Sequence, residues 1–333
     1  MIAVAIVNYR TADATLACLD AVVADADAGM RIYVLDNGSG GEDATRLEGY
    51  ARERRQQVRF IASENNLGFA GGSNRLLVEI LSDPVVDAVL LLNSDTRPRP
   101  GFLAAMRARL DPANRTDMVA ARLLDAKSGK VDSLGIALYR STLASNRKRE
   151  DETLLGPTGG CALLTRRLLE DLKATHGEWF DEQFFCYAED TDLVIRARWL
   201  GYVPVFAADA VVEHAGSLSS GGPDNDFVLY HGIRNSLWWL VKDAPTGWLL
   251  RSLPWFVLLH GGIWLRHLRR GRQRVLWRLY RDAFKGMPAM RRKRKLIRAT
   301  RRVPAHAFRD WVVPTFYERG YVRRALRELW RPS

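Results

Sequence analysis

Cysteine is nearly absent. Cys18, Cys161 and Cys186 are the whole complement; they lie far apart, and none sits in a Cys-x-x-Cys pair. That excludes a disulfide framework and a zinc module and suits a reducing cytosol. Nucleotide fingerprints are missing as well. No Gly-Lys-Ser/Thr occurs, and the first strand-like run is not followed by Gly-x-Gly-x-x-Gly. This argues against a P-loop enzyme and against a nicotinamide-dependent oxidoreductase. Residues 1–9 have neither a basic leader nor a small-residue cleavage site, so no signal peptide is expected. Long apolar runs are also lacking. The longest uncharged stretch, residues 252–265, has 14 residues and includes Pro254 and His260, short of the roughly 20 that a spanning helix needs.

Acidic residues run out in the last third. Residues 227–333 carry 25 Lys and Arg against 5 Asp and Glu, a net +20, whereas the remainder is −8 and the full 333-residue chain +12. Such an excess within about a hundred residues calls for an anionic partner and exceeds what solubility requires. Trp238, Trp239, Trp248, Trp255, Trp264 and Trp277 interleave with the arginines. Apolar tryptophan faces beside runs such as Arg291-Arg292-Lys293-Arg294-Lys295 suit helices lying in an anionic membrane interface. The plainer alternative packs the tryptophans into a small bundle on the preceding domain. A nucleic-acid-binding tail would use the same arginines, but the region has neither zinc spacing nor an RNA-binding signature, and no nucleic acid is expected as a partner.

The first two-thirds alternate short apolar runs with helical spacing. Residues 2–7, 31–35, 58–62 and 87–92 read as buried strands; 12–23, 43–54, 70–81 and 101–110 read as helices. The pattern implies βαβ units, hence an α/β, Rossmann-like, mostly parallel sheet covered on both faces. Further strands are expected at 117–124, 159–165, 203–206 and 210–214, and helices at 166–174 and 190–200. The expected division is a catalytic domain over 1–225 and a helical, basic, Trp-rich extension over 226–333.

Ligands in such sheets sit beyond the carboxyl ends of the strands. The first four strands are followed by Asn8-Tyr9-Arg10, by Asp36-Asn37-Gly38-Ser39, by a glycine-rich loop from Asn66 to Asn74, and by Asn93-Ser94-Asp95. Four polar strand ends make one crevice. Asp36 suits a turn and equally a ribose or base. The glycine-rich loop opens a helix, where backbone amides approach phosphate. Asp95 ends an all-apolar strand, and either turn capping or a Mg²⁺ or Mn²⁺ ion that bridges a diphosphate explains it. Glu189-Asp190-Thr191-Asp192 opens a helix, where the dipole favours acids. There a carboxylate raised by its neighbour and by aromatic surroundings can act as a general base. His214 is either structural or a further metal ligand.

Taken in order and spacing, these pieces resemble the family 2 glycosyltransferases of the GT-A fold, and within them the bacterial rhamnosyltransferase-like group, over about residues 1–235. The set also includes Gly159-Gly160-Cys161 and Phe180-Asp181-Glu182. The resemblance implies that Asp36 contacts the nucleoside, with Asn8 and Arg10 lining its pocket. Asn66 and Asn74 face the nucleotide-sugar. Asp95 is the acid of an Asp-x-Asp-like motif. Asn93 stands at the donor site where some members carry the first acid, leaving one carboxylate fewer for the ion. His214 is the second metal ligand, Asp190 the general base and Glu189 an acceptor contact, with Gly159, Gly160 and Asp192 on the acceptor side. The implied reaction is inverting transfer from a nucleoside-diphosphate sugar, best matched by dTDP-β-L-rhamnose, to a glycan or polyprenyl-linked acceptor. UDP- or GDP-sugars are the alternative donors. The expected location is the cytoplasmic face of the plasma membrane, held there peripherally by the extension.

Overall fold

Burial alternates along the first strand and sets the architecture. In β1 (Ile2–Asn8), Ala3 and Ala5 belong to one apolar layer and Ile2, Val4 and Ile6 to the other, as expected of a strand covered on both faces. The computed structural model describes residues 1–25, 30–216 and 225–321; the end of the basic extension, 322–333, lies outside the described residues. α1 (Ala12–Ala24), β2 (Met30–Asn37), α2 (Gly41–Glu53), β3 (Val58–Ser63), α3 (Gly68–Leu81) and β4 (Ala88–Asn93) follow as βαβ units. The four strands are parallel in the order β3-β2-β1-β4, so their carboxyl ends share one edge.

The second half is mixed. β5 (Thr96–Pro98), α4 (Phe102–Arg107), β6 (Met118–Asp125), β7 (Val131–Ser133), β8 (Ile136–Tyr139), β9 (Ala144–Asn146), β10 (Cys161–Thr165), α5 (Arg166–His176), α6 (Glu189–Trp199) and β11 (Pro204–His214) complete it. β10 runs antiparallel between β4 and β6, and β11 lies parallel to β6 and antiparallel to β5. The two strands expected at 203–206 and 210–214 are one strand, whose register slips between Ala207 and Val211. A bulge of this kind breaks the alternation that sequence reading relies on.

The extension is helical: α7 (Asp226–Asp243), α8 (Thr246–Arg269) and α9 (Gln273–Thr300), then β12 (Val312–Val313) beside β8. Composition assigns α7 to the extension, but its second half is core. Trp238, Trp239 and Leu240 join the main apolar layer together with Leu193 and Trp199 of α6. α9 packs against α7: a Cβ on Gly286 would lie 2.5 Å from the Trp238 ring. Of the basic run at 291–295, Lys293 pairs with Glu178 and Asp181, and Arg294 donates to the carbonyls of Val241 and Ala244. Those two cations dock the extension, and Arg291, Arg292 and Lys295 stay exposed. The tryptophans divide the same way. Trp238, Trp239, Trp248 and Trp311 are buried, whereas Trp255, Trp264 and Trp277 are exposed. Among the described residues no helix is long and apolar enough to cross a membrane.

Candidate active site

The strand ends open into a crevice of about 1250 Å³. Tyr9, Asn37, Asn66, Gly68, Asn93 and Asp95 line it on the side of the parallel strands. β5 is three residues long, yet it determines the site. Its antiparallel pairing sets Thr96 opposite His214, and the Ala215 N–H donates to the Asp95 carbonyl at 2.9 Å. Asp95 Oδ1 thereby comes within 3.2 Å of His214 Nε2. On the other side of the ring, Nδ1 lies 2.7 Å from Oδ2 of Asp132 on β7. Burial works against a charged ring, but the two carboxylates outweigh it and raise His214 to about 9. The bond to His214 in turn lowers Asp132.

This pair fits a divalent cation. Neighbouring ligands of an octahedral ion bonded at about 2.1 Å stand about 3 Å apart, close to the observed spacing. Asp132 fixes the orientation of the His214 ring from behind, the place a carboxylate takes behind a metal-binding histidine, and sequence reading missed it. Among the described residues no group of three or more His, Cys, Asp or Glu side chains is arranged to hold an ion. An ion held by Asp95 and His214 would depend on diphosphate oxygens and water for its other positions.

Further along the crevice, α6 begins after an unusual backbone. Phe185, Tyr187 and Ala188 take φ of 66, 70 and 63°; left-handed non-glycine residues this dense are costly and cluster at functional sites. Asn235 of α7 clamps the loop, its Nδ2 donating to the carbonyls of Phe184, Cys186 and Tyr187 at 2.9, 2.8 and 2.7 Å. Arg234 adds a bond to the Phe184 carbonyl at 3.0 Å. Gly68 completes the fit: its φ is +70°, and a Cβ there would lie 2.3 Å from the Phe185 carbonyl oxygen.

This loop presents two carboxyls of different character. Asp190 is half-buried. Its Oδ2 accepts the Gly159 N–H at 3.0 Å and its Oδ1 the Thr191 N–H at 2.6 Å. Burial raises its pKa, and these donors restrain the rise. Glu189 is buried, and its Oε2 has no hydrogen-bond partner. Burial and the adjacent Asp190 charge push it well above the carboxylate range. Both carboxyls are raised, Glu189 the further of the two, and the backbone N–H donors that favour the charged form sit on Asp190, which makes Asp190 the candidate base of the pair.

Residues 3–173, just over half of the chain, match the model of glycosyl transferase family 2. The chain belongs to that family. It is 27% identical to N-acetylglucosaminyl-diphospho-decaprenol L-rhamnosyltransferase of Mycobacterium tuberculosis, over 74% of this chain and 87% of that one. It is 26% identical to an N-acetylglucosaminyltransferase of Rhizobium sp., over 61% of this chain and 46% of the relative. Among solved structures, GalNAc-T7 with UDP, GalNAc and Mn²⁺ superposes with a TM-score of 0.56 at 13% identity, over 73% of this chain and 48% of that longer one. The mannosyltransferase PcManGT of Pyrobaculum calidifontis, in complex with GDP-Man and Mn²⁺, superposes at 0.53 and 15% identity, over 99% and 87%. The fold is therefore GT-A, and the protein is a family 2 glycosyltransferase of the hexosyltransferase type, similar to the rhamnosyltransferase group.

In this family 2 enzyme the crevice gathers eight of the residues singled out from sequence: Asn66, Asn93, Asp95, Gly159, Gly160, Glu189, Asp190 and His214. Five others lie off its wall. Asp192 is the clearest correction. Expected on the acceptor side, it is fully buried, bonded to Arg196 Nε at 2.9 Å and ion-paired with Lys242 at 2.6 Å. Asn74, expected to face the nucleotide-sugar, is held by the loop before α6. Its amide donates to the Phe180 carbonyl and to Glu182, and its oxygen accepts the Phe180 N–H. Asp36 is almost sealed, and its carboxylate accepts from Ser39 N–H, Gly40 N–H and Asn8; it builds the turn. Asn8 is fully buried and orients Asp36. Arg10 sits exposed at the rim, over the ring of Tyr9.

Proposed function

We propose that this glycosyltransferase moves L-rhamnose from dTDP-β-L-rhamnose, with inversion, to a hydroxyl of a lipid-linked or polysaccharide acceptor in cell-surface glycan synthesis. The observation that carries the chemistry is Asp190, a half-buried carboxylate held by two backbone N–H groups in the same crevice as the Asp95–His214 pair. Asp190 takes the proton of the acceptor hydroxyl as that oxygen attacks the anomeric carbon. The bond to the nucleoside diphosphate breaks in the same in-line displacement, so a β-linked donor gives an α-L-rhamnoside. Asp95 and His214 would hold Mg²⁺ or Mn²⁺, with Asp132 behind the ring, and the bound ion supplies positive charge to the departing diphosphate. Asn66 and Asn93 line the donor end, and Gly159 and Gly160 leave room for the acceptor while the Gly159 N–H aims the base.

The mycobacterial relative's name supports the donor sugar and a diphospholipid acceptor. The Rhizobium relative, named for another sugar, favours a second reading with a UDP- or GDP-linked donor. Location at the inner face of the plasma membrane is supported by α8. Leu250, Leu253, Val257, Leu258 and Leu268 are each more than half exposed, and Arg251 and Arg269 flank this face. An outward apolar face with basic ends suits a helix lying in an anionic interface.

The test offers purified enzyme dTDP-rhamnose, UDP-sugars and GDP-sugars with a GlcNAc-diphospholipid. Asp190→Asn is expected to lower kcat by about 10²- to 10⁴-fold while nucleoside diphosphate still binds. Full activity in that variant would overturn the assignment of the base.

A further inference from the structure

The crevice is larger than one donor requires. Pockets for a single small ligand span about 300–1,000 Å³, and this one reaches about 1250 Å³. Its lining is also polarised. Asp95, Asp132, Glu189 and Asp190 stand at the strand end, whereas Arg266 and His267 of α8 and Arg272 after it stand at the helical end. Arg272 also pairs with Asp226 at 3.4 Å. Leu229 and Ile233 of α7 and Leu259 and Ile263 of α8 line the same helical part. The donor diphosphate is provided for at the acidic end, where an ion would offset its charge, which leaves the basic end of the crevice open to a second anion.

We propose that the helical end of the crevice binds the diphosphate of a polyprenyl-diphosphate acceptor, with Arg266 and Arg272 holding the phosphates and α8 guiding the isoprenoid to its outward apolar face. The inference rests on the lipid-linked reading above and names the site that reads the lipid. Guanidinium groups grip phosphate oxygens through paired hydrogen bonds. The same helix lines the crevice with Leu259 and Ile263 and faces outward with Leu258 and Leu265. A lipid leaving the arginines thus stays on α8, which carries apolar side chains both in the crevice and on its outer face. The sugar it carries extends toward Asp190.

The experiment uses the full chain and farnesyl diphosphate as probe, followed by calorimetry without donor sugar. The wild type is expected to bind farnesyl diphosphate more tightly than farnesol or inorganic pyrophosphate. Arg266→Ala and Arg272→Ala are each expected to weaken that binding by about 10- to 100-fold. Arg266→Lys is expected to recover part of the loss. Affinity for dTDP with Mn²⁺ should stay within about twofold, since distant sites act independently, and this also reports that the variants fold. Unchanged farnesyl diphosphate binding in both alanine variants would overturn the proposal. So would competition between dTDP and farnesyl diphosphate, or inorganic pyrophosphate binding as tightly as the lipid. Because no donor sugar enters the assay, a failure of rhamnosyl transfer is read separately.

Discussion

Substituting Asp192 by asparagine removes one charge from a sealed cluster. Asp192, Arg196 and Lys242 are fully buried, and Lys242 also lies 2.9 Å from both Asp181 and Glu178. The cluster balances: Asp181, Asp192 and Glu178 face Arg196, Lys242 and Lys293. Burial and the Asp192 charge push Asp243 well above the usual carboxylate range. Burial alone would raise Asp192, but Arg196 and Lys242 hold it below the carboxylate range. Taking away Asp192 leaves Arg196 without its carboxylate and Lys242 with only Asp181 and Glu178, so one buried positive charge is uncompensated, which costs about 3–5 kcal/mol. Against a total stability of about 5–15 kcal/mol that is a large share. At roughly 2 °C per kcal/mol for a chain of this size, Tm falls by about 6–10 °C. Scanning calorimetry of Asp192→Asn, with the acceptor KM measured well below its Tm, checks this. A Tm within about 1 °C of wild type together with a raised acceptor KM would refute the reasoning and return Asp192 to the acceptor site.

Three further outcomes follow from the geometry. Asp132→Asn should weaken Mn²⁺ binding by about 10- to 100-fold, read by electron paramagnetic resonance of free Mn²⁺; unchanged affinity would mean that Asp132 does not orient His214. The raised pKa of Asp190 should set the acid limb of kcat/KM above the ordinary aspartate value of about 4. The base works ionised, so activity is present above that limb and lost as pH falls through it; a limb at or below pH about 4 would sink the assignment. Leu253→Glu with Val257→Glu should reduce pelleting on anionic liposomes by about tenfold or more, since a charge replaces buried apolar area at each position. Equal pelleting would remove α8 from the membrane contact.

The parallel half of the sheet was legible because buried strands of Val, Ile and Leu each end in a polar cluster, and those ends share one edge by topology. Asp95 was singled out that way, whereas Asp190 was singled out as an acid opening a helix and His214 as the end of a later strand. β5, β7, β8, β9 and β12 were not legible, since strands of two to four residues carry no period to detect. Asp132 was lost with them. Asp192 was placed on the acceptor side by resemblance, although a signal against that was present in the sequence. It stands two residues from Asp190, on the opposite side of the helix, and four before Arg196, on the same side. The clamp from Asn235 to the 184–187 loop joins segments that only tertiary packing brings together. The charge step near residue 226 therefore marks a change of surface, and α7 behind it belongs to the catalytic core.

The most direct test of the central claim is transfer itself, followed by the anomeric configuration of the product. Enzyme, dTDP-β-L-rhamnose, Mg²⁺ or Mn²⁺ and a GlcNAc-diphospholipid are expected to give an α-L-rhamnoside by NMR, with loss of product in Asp190→Asn. A β-linked product, or no transfer from any nucleoside-diphosphate sugar, would contradict it.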